Sequence, residues 1–229
     1  MSIYVIADLH LSFNAEKPMN VFGDKWQDYE EKLKNNWIAK VKPEDVVILP
    51  GDFSWCTYLE ETYNDFAYLE SLPGKKIILK GNHDYWWTTL TSMRRYIKEN
   101  NFETIDFLFN NSYCFDNKII VGTRGWNITD FENQKIIDRE VARLELSIQD
   151  GINKFGKDKE IIVFLHYPPI TKEIKKSPFW EIMKKYNIRK CYYGHLHGGS
   201  HKDAVEGEID NIHMKLISSD YLNFDPLEV

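Results

Sequence analysis

The chain of 229 residues is 43% apolar and 14% aromatic, with 29 basic against 35 acidic side chains and a formal charge of −6. Its 7 Trp, 13 Tyr and 13 Phe exclude disorder as the dominant state, and its apolar runs fall far short of the roughly 20 residues that span a bilayer. An acidic balance is ill suited to long nucleic acids, which require clustered Lys and Arg, and the length suits one domain over residues 1–229.

In chain order, the opening Met1-Ser2-Ile3-Tyr4-Val5-Ile6-Ala7-Asp8 has no basic segment and meets an acid almost at once. It reads as a strand over residues 2–7 rather than a secretion signal. Trp26, Tyr29, Leu33 and Trp37 then keep the spacing of one helical face. A strand over 45–50 precedes the capping box Thr57-x-x-Glu60, and strands over 75–80 and 118–122 follow. A second box, Thr129-x-x-Glu132, opens a helix with the face Ile137, Val141, Leu144 and Ile148. A strand over Glu160–Leu165 comes next, then Ser177-Pro178 as a cap with proline at the first helical position, then strands over 189–193 and 212–218. Near-continuous apolar strands imply coverage on both faces, and the strand–helix alternation predicts an α/β fold with helices covering largely parallel sheet. Cys56, Cys114 and Cys191 lie far apart with no C-x-x-C pair, which points to buried thiols in a reducing cytoplasm.

In α/β folds ligands sit beyond the carboxyl ends of the strands. There this sequence places Asp8-Leu9-His10, Gly51-Asp52, Gly81-Asn82-His83-Asp84, His166 and Gly194-His195-Leu196-His197. Five of the seven histidines occupy these positions. Asp, Asn and imidazole without thiolate form a donor set for two metal ions, favouring Mn, Fe, Zn, Co or Ni over Mg or Ca. The i, i+2 spacing of Asp8 and His10, and of His195 and His197, puts each pair on one face of extended backbone.

With D-x-H, G-D, G-N-H-[DE], H and G-H-x-H in this order between Asp8 and His197, the chain resembles the calcineurin-like metallophosphoesterases. The resemblance implies a two-sheet α-β-β-α sandwich with helices on the outer faces, and a dinuclear phosphoesterase site. One metal would be held by Asp8, His10, Asp52 and His197, the other by Asp52, Asn82, His166 and His195, with Asp52 bridging. The nucleophile would be a bridging hydroxide attacking in line. His83 would meet the substrate and protonate the leaving group, and Asp84 would hold its ring. After Gly51-Asp52 comes Phe53-Ser54-Trp55, and after Gly-Asn-His comes Asp84-Tyr85. The phosphate-binding arginines of the Ser/Thr protein phosphatases are therefore missing, and the chain is closer to the small, uncapped, bacterial-type members.

The expected substrate is a small phosphomonoester or phosphodiester, with no long nucleic acid and no membrane as partner, and the oligomeric state is open. A nuclease of short nucleic acids and a non-catalytic metal-binding module on the same fold are the alternatives. Arg124, in Gly122-Thr123-Arg124-Gly125-Trp126, follows a strand and is a candidate phosphate-binding catalytic residue, because guanidinium suits bidentate phosphate contact. Its competing role is a salt bridge or a stack on Trp126. Trp55, Tyr85, Trp86, Trp87 and Trp126 follow strand ends, where an aromatic could stack a base, but most are expected to serve core or rim packing. Lys172, Lys175 and Lys176 read as a solvated helix face, His213 as an ordinary strand position, and His201 as a residue near the chemistry.

Overall fold

The computed structural model describes residues 1–15 and 17–229. Its first half alternates β1 (Ile3–Val5), α1 (Tyr29–Lys40), β2 (Val46–Pro50), α2 (Tyr63–Ser71), β3 (Lys75–Leu79), α3 (Leu90–Glu99) and β4 (Ile105–Leu108). The second half runs β5 (Tyr113–Phe115), β6 (Lys118–Thr123), α4 (Gln134–Phe155), β7 (Glu160–Leu165), α5 (Pro178–Lys185), β8 (Lys190–Tyr193), β9 (Gly207–Ile209), β10 (Ile212–Leu216) and β11 (Leu227–Glu228). Two sheets result, in the orders β11-β1-β2-β3-β4 and β5-β6-β7-β8-β10-β9. Strands β1 to β4 pair in parallel, as do β6, β7, β8 and β10, while β11, β5 and β9 are antiparallel edges.

The two-residue period of each strand divides its apolar side chains between two layers. In the first sheet Tyr4, Ile6, Val47, Leu49 and Ile78 pack outward against Leu33 and Trp37 of α1 and Phe66 and Leu69 of α2. Their neighbours Val5, Ile48, Ile77 and Leu79 face inward and meet Ile120, Ile162 and Phe164 of the second sheet. The outer face of that sheet, with Ile119, Val121, Val163 and Leu165, is covered by Leu144 and Ile148 of α4 and Phe179, Trp180 and Met183 of α5. This is the expected α-β-β-α sandwich, and it explains why the central strands are apolar at both parities.

Local signals fared unevenly. Ser177 caps α5 as expected, its Oγ accepting from Trp180 N at 3.1 Å, with Pro178 next. Neither capping box forms. Glu61 rather than Glu60 accepts from the Thr57 and Tyr58 amides. Thr129 N bonds back to Asn127 Oδ1, and α4 begins only at Gln134. The first pattern gives way to a box one residue later, between Tyr58 and Glu61, and the second to an Asx turn from Asn127. Lys172, Lys175 and Lys176 are exposed but lie in the loop before α5, not on a helix. Among the described residues no helix is long and apolar enough to cross a membrane. Cys56 and Cys191 are buried, Cys114 is half-buried, and all three are free.

Candidate metal centre

Parallel pairing aligns the carboxyl ends of the central strands along one rim, and the turns that leave them are unusually tight. Asp8, His10, Asp52 and His195 all take positive φ, at 61°, 48°, 52° and 74°. Such backbone is sparsely populated by non-glycine residues and gathers at functional sites. Two glycines let carboxylates press against backbone. A Cβ on Gly81 would stand 2.1 Å from Asp52 Oδ1, and one on Gly194 would stand 2.5 Å from Asp8 Oδ2.

The structure brings seven of the candidate ligands together. Asp8, His10 and His197 form one cluster whose donor atoms converge, and Asp8, Asp52 and His166 form a second. Asp52 Oδ2 reaches towards both, at 3.7 Å from His10 Nε2 and 3.4 Å from His166 Nε2. Asn82 Oδ1 lies 2.7 Å from His166 Nε2 and 2.9 Å from His195 Nδ1. Asp8 accepts from the amide of His195 at 3.0 Å, tying the two sheets together at the site.

The tautomers can be read from the partners. His166 Nδ1–H donates to the carbonyl of Pro50 at 3.1 Å, so a bare Nε2 faces the Asn82 and Asp52 oxygens. His197 Nδ1–H donates to Asp220 at 3.0 Å, and its Nε2 lies 3.2 Å from His10 Nε2. Oxygen and nitrogen donors therefore converge in two clusters, an arrangement that suits cations. The electrostatics agree. Burial, then the neighbouring Asp8, pushes Asp52 up to about 8. Against desolvation, Asp8 and Asp220 raise His197 to about 10, so the field at this point favours positive charge. Burial and the neighbouring His166 lower His195 to about 3. A set of buried carboxylates, imidazoles and one amide fits divalent transition ions.

His83 reaches the same rim without joining either cluster. Its ring lies 4.4 Å from Trp55 and 5.7 Å from His10, and its amide donates to Asp52 Oδ1 at 2.8 Å. Its Nδ1 is buried without a partner among the described residues, which leaves Nε2 as the nitrogen open to solvent. Burial, His166, Lys17 and His197 together lower it to about 4.

Two expectations are corrected. Asp84 does not hold the His83 ring. Its buried carboxylate accepts from the amides of Asp52, Phe53, Ser54 and Gly81 and from Trp86 Nε1, at 2.7 to 3.3 Å. It clasps the two loops that carry Asp52 and Asn82, because five convergent donors outcompete one imidazole. Arg124 is not directed at the donor clusters. Its guanidinium lies 3.6 Å from the buried Glu140 and 4.5 Å over Trp126, since an acid buried in α4 needs cationic partners more than a solvated rim does. Its backbone carbonyl does serve the site, accepting from the amides of His166 at 3.1 Å and Tyr167 at 2.9 Å.

Asp220 escaped the sequence reading although it follows the strand predicted over 212–218, where the strand-end rule applied equally. It anchors His197, accepts from Gly198 N at 2.9 Å and lies 3.1 Å from His201 Nε2. His201 is thus turned to Asp220, and His213 is a half-exposed strand residue 3.5 Å from Glu208. Tyr167, also unforeseen, covers the His195 ring at 4.1 Å. Trp86 and Trp87 are core residues, whereas Trp55 borders the site and the exposed Tyr85 lies edge-on to His83 at 6.2 Å.

Residues 1–199 match the family model described as calcineurin-like phosphoesterase. No curated protein matches the chain. Among solved structures, a phosphopantetheinyl hydrolase from Mycobacterium tuberculosis superposes with TM-score 0.57 at 13% identity, over 100% of this chain and 95% of that one. A protein of unknown function from Aquifex aeolicus, AQ665, gives 0.53 at 19% identity, over 99% and 95%. TT1561 of Thermus thermophilus gives 0.52 at 12% identity, over 85% and 81%. At these identities the likeness is one of fold.

Proposed function

Because this chain belongs to the calcineurin-like phosphoesterase family, and so to the hydrolases of phosphoric esters, we propose that it hydrolyses a small phosphomonoester or phosphodiester at a dinuclear metal centre in the reducing cytoplasm. Asp8, His10, Asp52 and His197 would hold one ion, and Asp52, Asn82, His166 and His195 the other, drawn from Mn, Fe, Zn, Ni or Co. The observation that carries this reading is the convergence of two donor clusters on Asp8 and Asp52, with Asp52 Oδ2 within 3.7 Å of the Nε2 atoms of His10 and His166.

Such ions, when bound, lower the pKa of water, orient phosphate oxygens and stabilise charge in an in-line displacement. The protein does the rest. Asp220 and the Pro50 carbonyl fix the tautomers of His197 and His166, so that each presents Nε2. Asp84 holds the Asp52 and Asn82 loops in register. His83 Nε2 stands outside the donor clusters and carries the proton for the departing oxygen. Its low pKa in the free site rises when a phosphate oxyanion arrives beside it.

The test is turnover of an alkyl and an aryl phosphate with each metal, in wild type and His83→Ala. The variant keeps its metals and loses roughly 10²–10⁴-fold in kcat on the alkyl ester, and less on p-nitrophenyl phosphate, whose leaving group needs little protonation. Equal losses on both esters contradict the role of His83. Absence of turnover with every metal contradicts the phosphoesterase reading and favours a binding module.

A further inference from the structure

Beside the metal centre lies a cleft of about 420 Å³ that shares His10, His83 and His197 with it and is otherwise walled by Met19, Phe22, Trp26 and Trp55. A cleft of this size falls within the range of small-molecule sites. Among the described residues no charged side chain lines it apart from the shared histidines, although Lys17 Nζ stands 4.5 Å from the Trp55 ring. Its mouth is open at Gly198 and Gly199, where an added Cβ would meet nothing within 4 Å. One wall residue, Phe22, is 65% exposed, an apolar ring left in water at the edge of the chemistry.

The proposed chemistry fixes what must enter here. In hydrolysis the oxygen of water bonds to phosphorus as the ester P–O bond breaks, and the departing oxygen takes its proton at His83 Nε2. The alcohol part therefore starts next to His83, and the Trp55 ring 4.4 Å away begins the apolar wall. The tryptophans are already engaged. Trp55 is stacked on His10 at 4.9 Å and has Lys17 Nζ 4.5 Å from its ring. Trp26 packs edge-on against His10, Tyr29, His197 and Phe224. A wall of ring edges with the adaptable thioether of Met19, bonded by Trp55 Nε1 at 3.1 Å, suits a flexible chain better than a flat base.

Resting on the phosphoesterase reading above, we infer that this cleft takes the leaving alcohol, and that the substrate is a phosphoester whose alcohol part is an extended apolar chain rather than a nucleoside. The charged phosphate sits over the donor clusters while the chain lies along Met19, Phe22 and Trp26.

The experiment compares methyl, butyl and hexyl phosphate and thymidine 5′-monophosphate as substrates of the Mn²⁺-loaded protein. In parallel, binding of methyl- and hexylphosphonate is read from tryptophan fluorescence. A fully buried methylene is worth about fourfold, and half-burial about twofold, so the five extra methylenes of hexyl should raise kcat/KM and affinity roughly 30-fold. Gly199→Leu, which fills the mouth, and Phe22→Ala, which removes a wall, should each cut the hexyl-over-methyl ratio at least about fivefold. Hydrolysis with no chain-length preference, or a preference for thymidine 5′-monophosphate, overturns this assignment and leaves the phosphoesterase reading standing. Tight hexylphosphonate binding without turnover of any ester upholds the cleft and removes the phosphoesterase reading.

Discussion

The first sheet brings oxygen to the rim and the second brings nitrogen. Asp8, Asp52 and Asn82 leave the ends of β1, β2 and β3, with His10 the imidazole of that side, whereas His166, His195 and His197 leave β7 and β8. The first side is also the more strained, with Asp8, His10 and Asp52 all at positive φ against His195 alone on the second. Its carboxylates are held by backbone amides, including the His195 amide that crosses from the other sheet to Asp8. The imidazoles are instead oriented by outer partners, Pro50 for His166 and Asp220 for His197. Neither sheet has a complete donor set. The donor clusters come together because an apolar layer between the sheets, from Val5 and Ile48 to Ile120 and Phe164, holds the two halves in register.

Breaking the oxygen side should cost most. Asp52→Asn removes the one carboxylate proposed to touch both ions, and activity should fall well beyond the roughly 10–100-fold that loss of an outer partner brings. Steady-state kinetics with metal analysis checks this, and retention of both ions at full activity would contradict it. Next comes the layer between the halves. Phe164 is fully buried and stacked 5.6 Å from Tyr192, so Phe164→Ala should lower unfolding free energy by about 3–5 kcal/mol. Metal affinity should weaken with it, although no ligand is touched. Denaturant unfolding and Mn²⁺ titration on one sample test that coupling.

On the nitrogen side, Asp220→Asn frees the His197 ring, and Mn²⁺ affinity should drop roughly 10–100-fold. Activity should return at saturating metal, which separates positioning from catalysis. The smallest effect belongs to Arg124. Because Glu140 keeps Arg143 at 2.8 Å and Thr123 Oγ1 at 2.6 Å, Arg124→Ala should cost about 1 kcal/mol of stability, the scale of a lost cation–π contact. kcat/KM should be essentially unchanged, and a tenfold loss would return Arg124 to the substrate.

The same contrast explains what the sequence disclosed. Buried parallel strands announce themselves by length and composition, so the strand expected over 160–165 matches β7, and the other six predicted strands are shifted by only one or two residues at their ends. Motifs beyond those strands then placed the ligands. The edge strands β4, β5, β9 and β11 went unnoticed because each is only two to four residues long and needs a neighbour to exist. Side-chain direction was illegible for the same kind of reason. Asp84 adjoins His83 in sequence, yet its carboxylate answers amides some 30 residues earlier. Arg124 ends a strand at the correct rim, yet an acid buried in α4 claims it. Such choices depend on which partners the fold delivers, and sequence distance does not report that.

The central claim is that two half-sites, one from each sheet, share Asp52 across a pair of metal ions. Anomalous diffraction from crystals grown with Mn²⁺ tests it directly. Two peaks roughly 3.5–4 Å apart are expected, one beside His10 and His197, the other beside Asn82, His166 and His195, with Asp52 between them. A single fully occupied ion, or a pair in which Asp52 contacts only one, would contradict the account.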